Sequence, residues 1–519
     1  MGGTHGSTAK AAGSALCLLS LAGCAVGPDF EAVQAPTGAG YSPRPILETV
    51  SASSPGGAPQ RLRNGAGVPG GWWTWFRSRQ IDAFVSESLR NHPDLAAAQA
   101  ALRQAREAVA ADTAGFFPSA SADGSVTREQ ASAASTGQNA PASLYTLYNV
   151  SAPVSFTPDI FGGRARAVEA DAANAEYERY ELEATYLSLT ANVVTAAIND
   201  ASLAAQIQVT QDLIGSQREQ VRLLENRFAL GAVSEADVLS QKAQLATTLA
   251  TLPPLEKSRA IGRDELLAYL GRFPNQDRGE AVALDSLTLP RSLPVSLPSA
   301  LVRQRPDIGA AESQWRQANA NVGVATANML PQLTLSASYG SAALSASTLF
   351  NAQTTAWSMA SSLTTPIFDA GALFHTKEER VAALDQARAR YQSTVLSAFQ
   401  NVADSLQSLK ADAALLNAEG YAEKVSAQSL TITQSQFNAG ASNTLNVLNA
   451  EQTLLNARIG RVKAQAARLA DTVALFQSLG GGWWNRSDES PQSRPAPMTP
   501  EALFPPLAAL SQSQAHPNR

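Results

Sequence analysis

Four histidines and two cysteines are the residues best suited to metal binding or nucleophilic chemistry, and their spacing supports neither. His5, His92, His375 and His516 lie far apart, and none forms a metal-ligand spacing with another His or with a Cys. The sequence holds no P-loop, no nucleophile elbow and no Cys-His pair. Glu378 and Glu379 are adjacent carboxylates, but they fall on a predicted helix face and read as solvated charges. The sequence argues against an enzyme and predicts no metal and no cofactor.

The thiols have a different chemistry. Cys17 and Cys24 both lie in the first 25 residues, so the rest of the chain cannot form a disulfide. Lys10 precedes an apolar run over residues 11–21, which fits the hydrophobic region of a secretory signal. The run is too short to span a bilayer, which needs about 20 residues. Leu21-Ala22-Gly23-Cys24 then resembles the bacterial lipobox, whose cysteine takes a diacylglyceryl group and becomes the first mature residue. Residues 1–23 are therefore read as a lipoprotein signal peptide and Cys24 as the lipidation site. An ordinary small-residue cleavage site is the plainer alternative. In known lipoproteins an Asp after the cysteine retains the product at the inner membrane, so Ala25 points to the outer one.

The formal charge of −5 and the pI of about 5.6 argue against nucleic acid as a partner. Aromatics make up only 6% of the chain, fewer than a large compact core uses. After the signal no window of about 18 apolar residues occurs, so any membrane crossing must use strands. Residues 24–80, rich in Pro, Gly and Ser, predict an extended segment, and residues 485–519 predict a disordered tail.

Between them lies an internal duplication. Residues 92–118 align with 305–331, with 11 identities in 27 positions. Pro93-Asp94 falls on Pro306-Asp307, and Arg103-Gln104-Ala105 on Arg316-Gln317-Ala318. Farther on, Phe228 and Gly231 fall on Phe437 and Gly440, and Leu270-Gly271 on Leu479-Gly480. Two copies define a first repeat over 81–271 and a second over 298–480, not a solenoid of many units.

Each copy opens with a helix of about 23 residues behind its Pro-Asp pair. Two strands follow. Leu333, Leu335, Ala337 and Tyr339 alternate with Thr334, Ser336 and Ser338, and the second strand ends at Pro366-Ile367-Phe368-Asp369. The first copy has strands near 117–128 and 144–156. Next comes a long helix, with no proline and one glycine, Gly215, over 164–229, or roughly 100 Å at 1.5 Å per residue. Leu182, Leu189, Ala196 and Leu203 recur at seven, and the seam then moves to Ile207, Ile214, Val221 and Phe228. The second copy has Val395, Val402, Leu409 and Leu416. A seven-residue repeat predicts coiled-coil-like packing. Gly231 ends the long helix, and Ser234 with Asp237 caps the returning one; Gly440 and Asn443 do the same in the second copy. These are two hairpin tips.

Four strands cannot close a membrane barrel, whose smallest examples use about eight, and open edges are not tolerated in lipid. Several chains must contribute to one barrel. The chain resembles the TolC-like outer membrane factors, in their NodT-type lipoprotein branch, over about residues 17–484. The resemblance is carried by Leu21-Ala22-Gly23-Cys24 with Val26-Gly27-Pro28-Asp29-Phe30, Trp72-Trp73-Thr74-Trp75-Phe76, Arg227-Phe228, Arg305-Pro306-Asp307-Ile308, Leu479-Gly480-Gly481-Gly482-Trp483 and the duplication. It implies a mixed α and β membrane protein, built from a duplicated helix-strand-strand-long helix-helix unit. It further implies a homotrimer whose 12-stranded outer-membrane β-barrel continues into a long periplasmic α-helical barrel. The implied function is an efflux exit duct, docked by a periplasmic adaptor protein and an inner-membrane transporter of the RND, MFS or ABC type.

The family also implies a gate at the tips, here Gly231, Ser234, Asp237, Phe437, Gly440, Asn443, Asn446 and Asn449. Two aspartates usual in the second copy match Asn446 and Asn449, which puts a cation-selective ring in doubt. A tyrosine that ties the closed gate to an aspartate matches Phe437, while Asp237 matches the aspartate, so the closed state must be held differently. An equal alternative for Phe437 is a core residue at the end of the seam. The rival function is a periplasmic adaptor lipoprotein, which usually carries one hairpin inside β-rich domains rather than two in duplicate.

Overall fold

The computed structural model describes residues 26–31, 41, 46–132, 137 and 141–486. Short β1 (Arg61–Asn64) precedes α1 (Arg79–Asn91) and α2 (Pro93–Ala114). The strands β2 (Ser119–Ala120), β3 (Asp123–Ala131) and β4 (Ser143–Phe156) lead into α3 (Gly163–Ala229), and α4 (Glu235–Tyr269) returns from it. The second copy follows β5 (Ser292–Val295) and runs through α5 (Pro298–Gln304), α6 (Pro306–Ala327), β6 (Gln332–Ala343), β7 (Thr355–Thr364), α7 (Ala372–Asn438) and α8 (Thr444–Ser478).

Each long helix, α3 and α7, has 67 residues, a rod of roughly 100 Å. The two shorter helices of each copy, 22 and 35 residues, stack along it. Helix α3 packs on α2 and α4 on one side and on α6 and α8 on the other, and α7 covers α6 and α8. The helices therefore pack side by side as one layer. The alanine content lets them approach closely with little bulk per contact.

In the sheet, β4 pairs with β2, β3 and β6, and β6 pairs with β7, all antiparallel. Cross-strand partners sort by polarity. Leu333 faces Leu363, Ala337 faces Met359, Tyr339 faces Trp357 and Val154 faces Ala337, whereas Thr334 faces Ser362 and Ser338 faces Ser358. One face is thus apolar and the other polar, the alternation of a membrane barrel wall. The outer strands β3 and β7 each have a partner on one side only among the described residues.

The first strand differs from the continuous 117–128 expected. It breaks into β2 and β3 around residues 121–122, opposite Pro153. Proline has no N–H to give the ladder, and Ser121 N–H instead donates to the Pro153 carbonyl at 3.0 Å. Strand β7 stops at Thr364, short of the expected close at Asp369.

The core lies where residues 61–76 wrap α8. Trp72, Phe76 and Phe476 are buried, with Trp72 stacked on Phe476 at 5.4 Å between centroids. Strand β1 pairs in parallel with β5, a link between the N-terminal segment and the inter-repeat connection. Leu189, Ala196, Ile207, Ile214, Val402, Leu409 and Leu416 of the expected seams are buried. The distal seam is not as expected. Val221 is half-buried and Phe228 is exposed, and Gln217 and Leu224 take the buried positions. A straight helix drifts about 20° per heptad, so a row extended at seven rotates off the contact. Asn485 and Arg486, assigned to the tail by composition, are bonded to the body of the fold. Asn485 donates to the Val68 carbonyl at 2.7 Å and Arg486 to Glu183 at 3.2 Å, and only 487–519 lie outside the described residues.

Candidate functional site at the hairpin tips

Both tips are built by the same local rules. Helix α3 ends in a turn through Gly231 at φ +70, where Gly231 N–H donates to the Phe228 carbonyl and Ala232 N–H to that of Arg227, each at 2.8 Å. A side chain is strained in that left-handed conformation. Gly440 at φ +73 repeats it, with Ala441 N–H donating to the Gln436 carbonyl at 2.8 Å.

The caps differ. Ser234 Oγ accepts from Asp237 N–H at 3.2 Å, while an Asp237 carboxylate oxygen accepts from Ser234 N–H at 3.1 Å, a reciprocal capping box. In the second tip Asn443 Oδ1 accepts from Asn446 N–H at 3.0 Å, but Asn446 Nδ2 donates to Ser442 Oγ at 3.2 Å, so the reciprocal bond is missing.

The tips also touch each other. Asp237 accepts a hydrogen bond from the Thr444 side chain at the start of α8, and Ser234 and Thr444 together hold its carboxyl below the usual aspartate range. The Arg227 guanidinium on α3 sits 5.5 Å from the Phe437 ring centroid on α7, and its Nη2 donates to Asn438 Oδ1 at 3.3 Å. Phe437 is half-buried. It helps line a hollow of about 180 Å³ with Leu224, Gln241, Thr444 and Val447. The pairing of Arg227 with Phe437 is not legible in the sequence, because the contact joins residues from different hairpins.

Asn446 and Asn449 are exposed and border one shallow groove with Ser426, Ser429, Thr433 and Thr453. The groove is lined by amides and hydroxyls without a carboxylate. Leu230 and Leu445, one per tip, are exposed apolar residues at the far end of the rod. Cys24 lies outside the described residues. Among the described residues no group of three His, Cys, Asp or Glu could hold a metal ion, and no helix is long and apolar enough to cross a membrane.

Comparison with known proteins matches this geometry. The family model described as outer membrane efflux protein matches residues 84–272 and 297–481, one match per repeat. The antibiotic efflux pump outer membrane protein ArpC of Pseudomonas putida is 27% identical over 476 residues, covering 91% of this chain and 95% of the relative. The cation efflux system protein CusC of Escherichia coli K12 is 27% identical over 472 residues, covering 89% and 97%. Among solved structures, the outer-membrane channel OprN superposes with a TM-score of 0.79 at 26% identity, covering 89% of this chain and all of that one. The MtrE outer membrane channel of Neisseria gonorrhoeae shares the fold, with a TM-score of 0.75 at 24% identity over 89% and 99%.

Proposed function

The chain belongs to the outer membrane efflux protein family, and on that premise we propose that it is the outer-membrane exit duct of a tripartite efflux system. It conducts drugs or other small molecules passively from an inner-membrane pump across periplasm and outer membrane. The observation that carries this reading is the union, in one chain, of a two-faced sheet with two helical hairpins of roughly 100 Å. The duplication weighs against the adaptor, since both repeats match the same channel family.

Three copies close the barrel. The unpaired sides of β3 and β7 must be satisfied inside the bilayer, and neighbouring chains supply their partners. A homotrimer gives 12 strands from the four long ones, β3, β4, β6 and β7, of each chain. At the other end the exposed Leu230 and Leu445 suit an apolar contact from a periplasmic adaptor, which joins the duct to an RND, MFS or ABC transporter.

A lipid on Cys24 anchors the chain to the outer membrane. The segment just after it is clamped at the junction of sheet and rod. Val26 N–H donates to the Phe161 carbonyl at 3.0 Å, Arg166 pairs with Asp29 at 2.7 Å, and Asn319 Nδ2 donates to the Pro28 carbonyl at 2.8 Å. Gly27 meets Gly323 so closely that a Cβ on Gly27 would lie 2.5 Å from the Gly323 Cα. The exposed Phe116, Phe117, Ile367 and Phe368 flank the same junction and suit the lipid interface.

The test is reconstitution. The detergent-solubilised protein should have the mass of three chains and open conducting pores in a planar bilayer. A stable, non-conducting monomer would overturn the reading.

A further inference from the structure

Near the second tip, the buried row of α8 from Val447 to Leu455 is apolar except at one place. Val447 and Leu448 precede it and Leu454 and Leu455 follow, all buried; between them stands Glu451, 1% exposed. It lies two turns from the second tip. Its carboxylate crosses to the first hairpin, where Gln220 Nε2 donates to Oε1 and Gln217 Nε2 lies 3.5 Å from Oε2. Burial pushes the carboxyl up from the usual glutamate range, and the two amides draw it part of the way back. Among the described residues Glu451 has no ion-pair partner, and its only side-chain hydrogen bonds are to Gln217 and Gln220. The charged residues of this stretch pair with one another, Lys242 of α4 with Glu225 of α3 at 2.7 Å and Arg461 of α8 with Glu423 of α7 at 2.6 Å.

For packing alone this site is poor. A buried carboxylate without a cation is costly. Gln217 Oε1 and, on α4, Gln241 Nε2 are buried without a hydrogen-bond partner among the described residues. A leucine at 451 would extend the apolar row without that penalty. A proton changes the balance, because a protonated Glu451 carries an O–H that the unpaired Gln217 Oε1 can accept.

We propose that Glu451 is a proton-sensitive latch between the two hairpins, bonded to Gln217 and Gln220 in the closed mouth and released to water when the second hairpin swings away. The proposal rests on the reading of the hairpin tips as the gate. Glu451 acts as a positioning residue, since it holds one hairpin against the other and meets no cargo. The sign follows from burial. The closed state holds the proton more tightly than the open, hydrated state. Acid therefore favours closing, and rising pH through the carboxyl's closed-state range favours opening. The latch is weak enough to release because it leaves part of its own network unmade.

Single-pore recording at pH 5 and pH 7.5 tests this on the full-length trimer. The wild type should show a several-fold higher ratio of open to closed time at pH 7.5. Glu451→Gln keeps the shape, can accept from Gln220 through its one carbonyl oxygen and offer an N–H to Gln217 Oε1, but cannot ionise. It should stay mostly closed at both pH values, with unchanged trimer mass and open-level conductance. Glu451→Ala should open more readily than the wild type at pH 5, because the cross-hairpin bonds are gone. A Glu451→Gln channel that keeps the wild-type pH response overturns the latch, as does a wild type without one. A wild type that forms no pore overturns the duct itself, and the latch with it.

Discussion

Arg227 on α3 and Phe437 on α7 meet near the tips of the two hairpins, guanidinium over ring at 5.5 Å, with Asn438 accepting from the same guanidinium at 3.3 Å. A tyrosine hydroxyl is not needed to join the tips. The ring itself is the acceptor, and Asp237 turns to Ser234 and Thr444 instead.

A cation–π contact at an exposed site is worth about 0.5–1 kcal/mol. Phe437→Ala should therefore raise the ratio of open to closed time by roughly two- to fivefold per chain. Arg227→Ala should do the same or more, since it also loses the bond to Asn438. Single-pore recording measures both. Unchanged gating in both variants would mean that the tips are held elsewhere.

Asn446 and Asn449 lie three residues apart on one exposed face. Three chains would present a double ring of neutral amides at the mouth. Carboxylates at the same places would concentrate cations. Asn446→Asp with Asn449→Asp should raise cation selectivity and block by trivalent cations in a planar bilayer. If the double variant conducts and blocks like the parent, these residues do not line the pore.

Cys24 should be the acylated residue. Metabolic labelling with a radioactive fatty acid should mark the wild type and leave Cys24→Ala unmarked. Pore formation should survive the change, because a closed barrel holds itself in the membrane. A label that persists in the variant would rule out this thiol.

Asp412 on α7 and Asp471 on α8 face each other, both half-buried between the helices. Burial first, and then the hydrogen bond that a protonated Asp412 donates to Asp471, push the Asp412 carboxyl up to about 7. The folded chain thus binds this proton more tightly than the unfolded chain, where an aspartate titrates at about 3.9. Stability from this site is full below about pH 4 and falls as pH rises toward 7. Asp412→Asn should raise the melting temperature at pH 8 and change it little at pH 4. A variant that melts lower at pH 8 would contradict the burial argument.

Much of this architecture was legible in the chain itself. Caps, glycine turns and strand alternation depend on residues a few positions apart, so Ser234 with Asp237, Gly231, Gly440 and the row from Leu333 to Tyr339 announced their elements. The duplication gave the order of those elements twice. The tertiary structure decided the contacts that bring together distant stretches. Arg468 is fully buried and donates to the Gly56 and Ala58 carbonyls and to Thr49 Oγ1 at 2.8–3.0 Å, pinning a segment some 410 residues away. Arg227 finds Phe437, Glu451 finds Gln217 and Gln220, and Leu224 replaces Val221 in the seam. Each of these depends on the rotational phase of one long helix against another. A drift of about 20° per heptad, summed over nine or ten heptads, carries that phase around half a turn. Periodicity along one helix cannot fix that angle, and only packing against the neighbouring helices does.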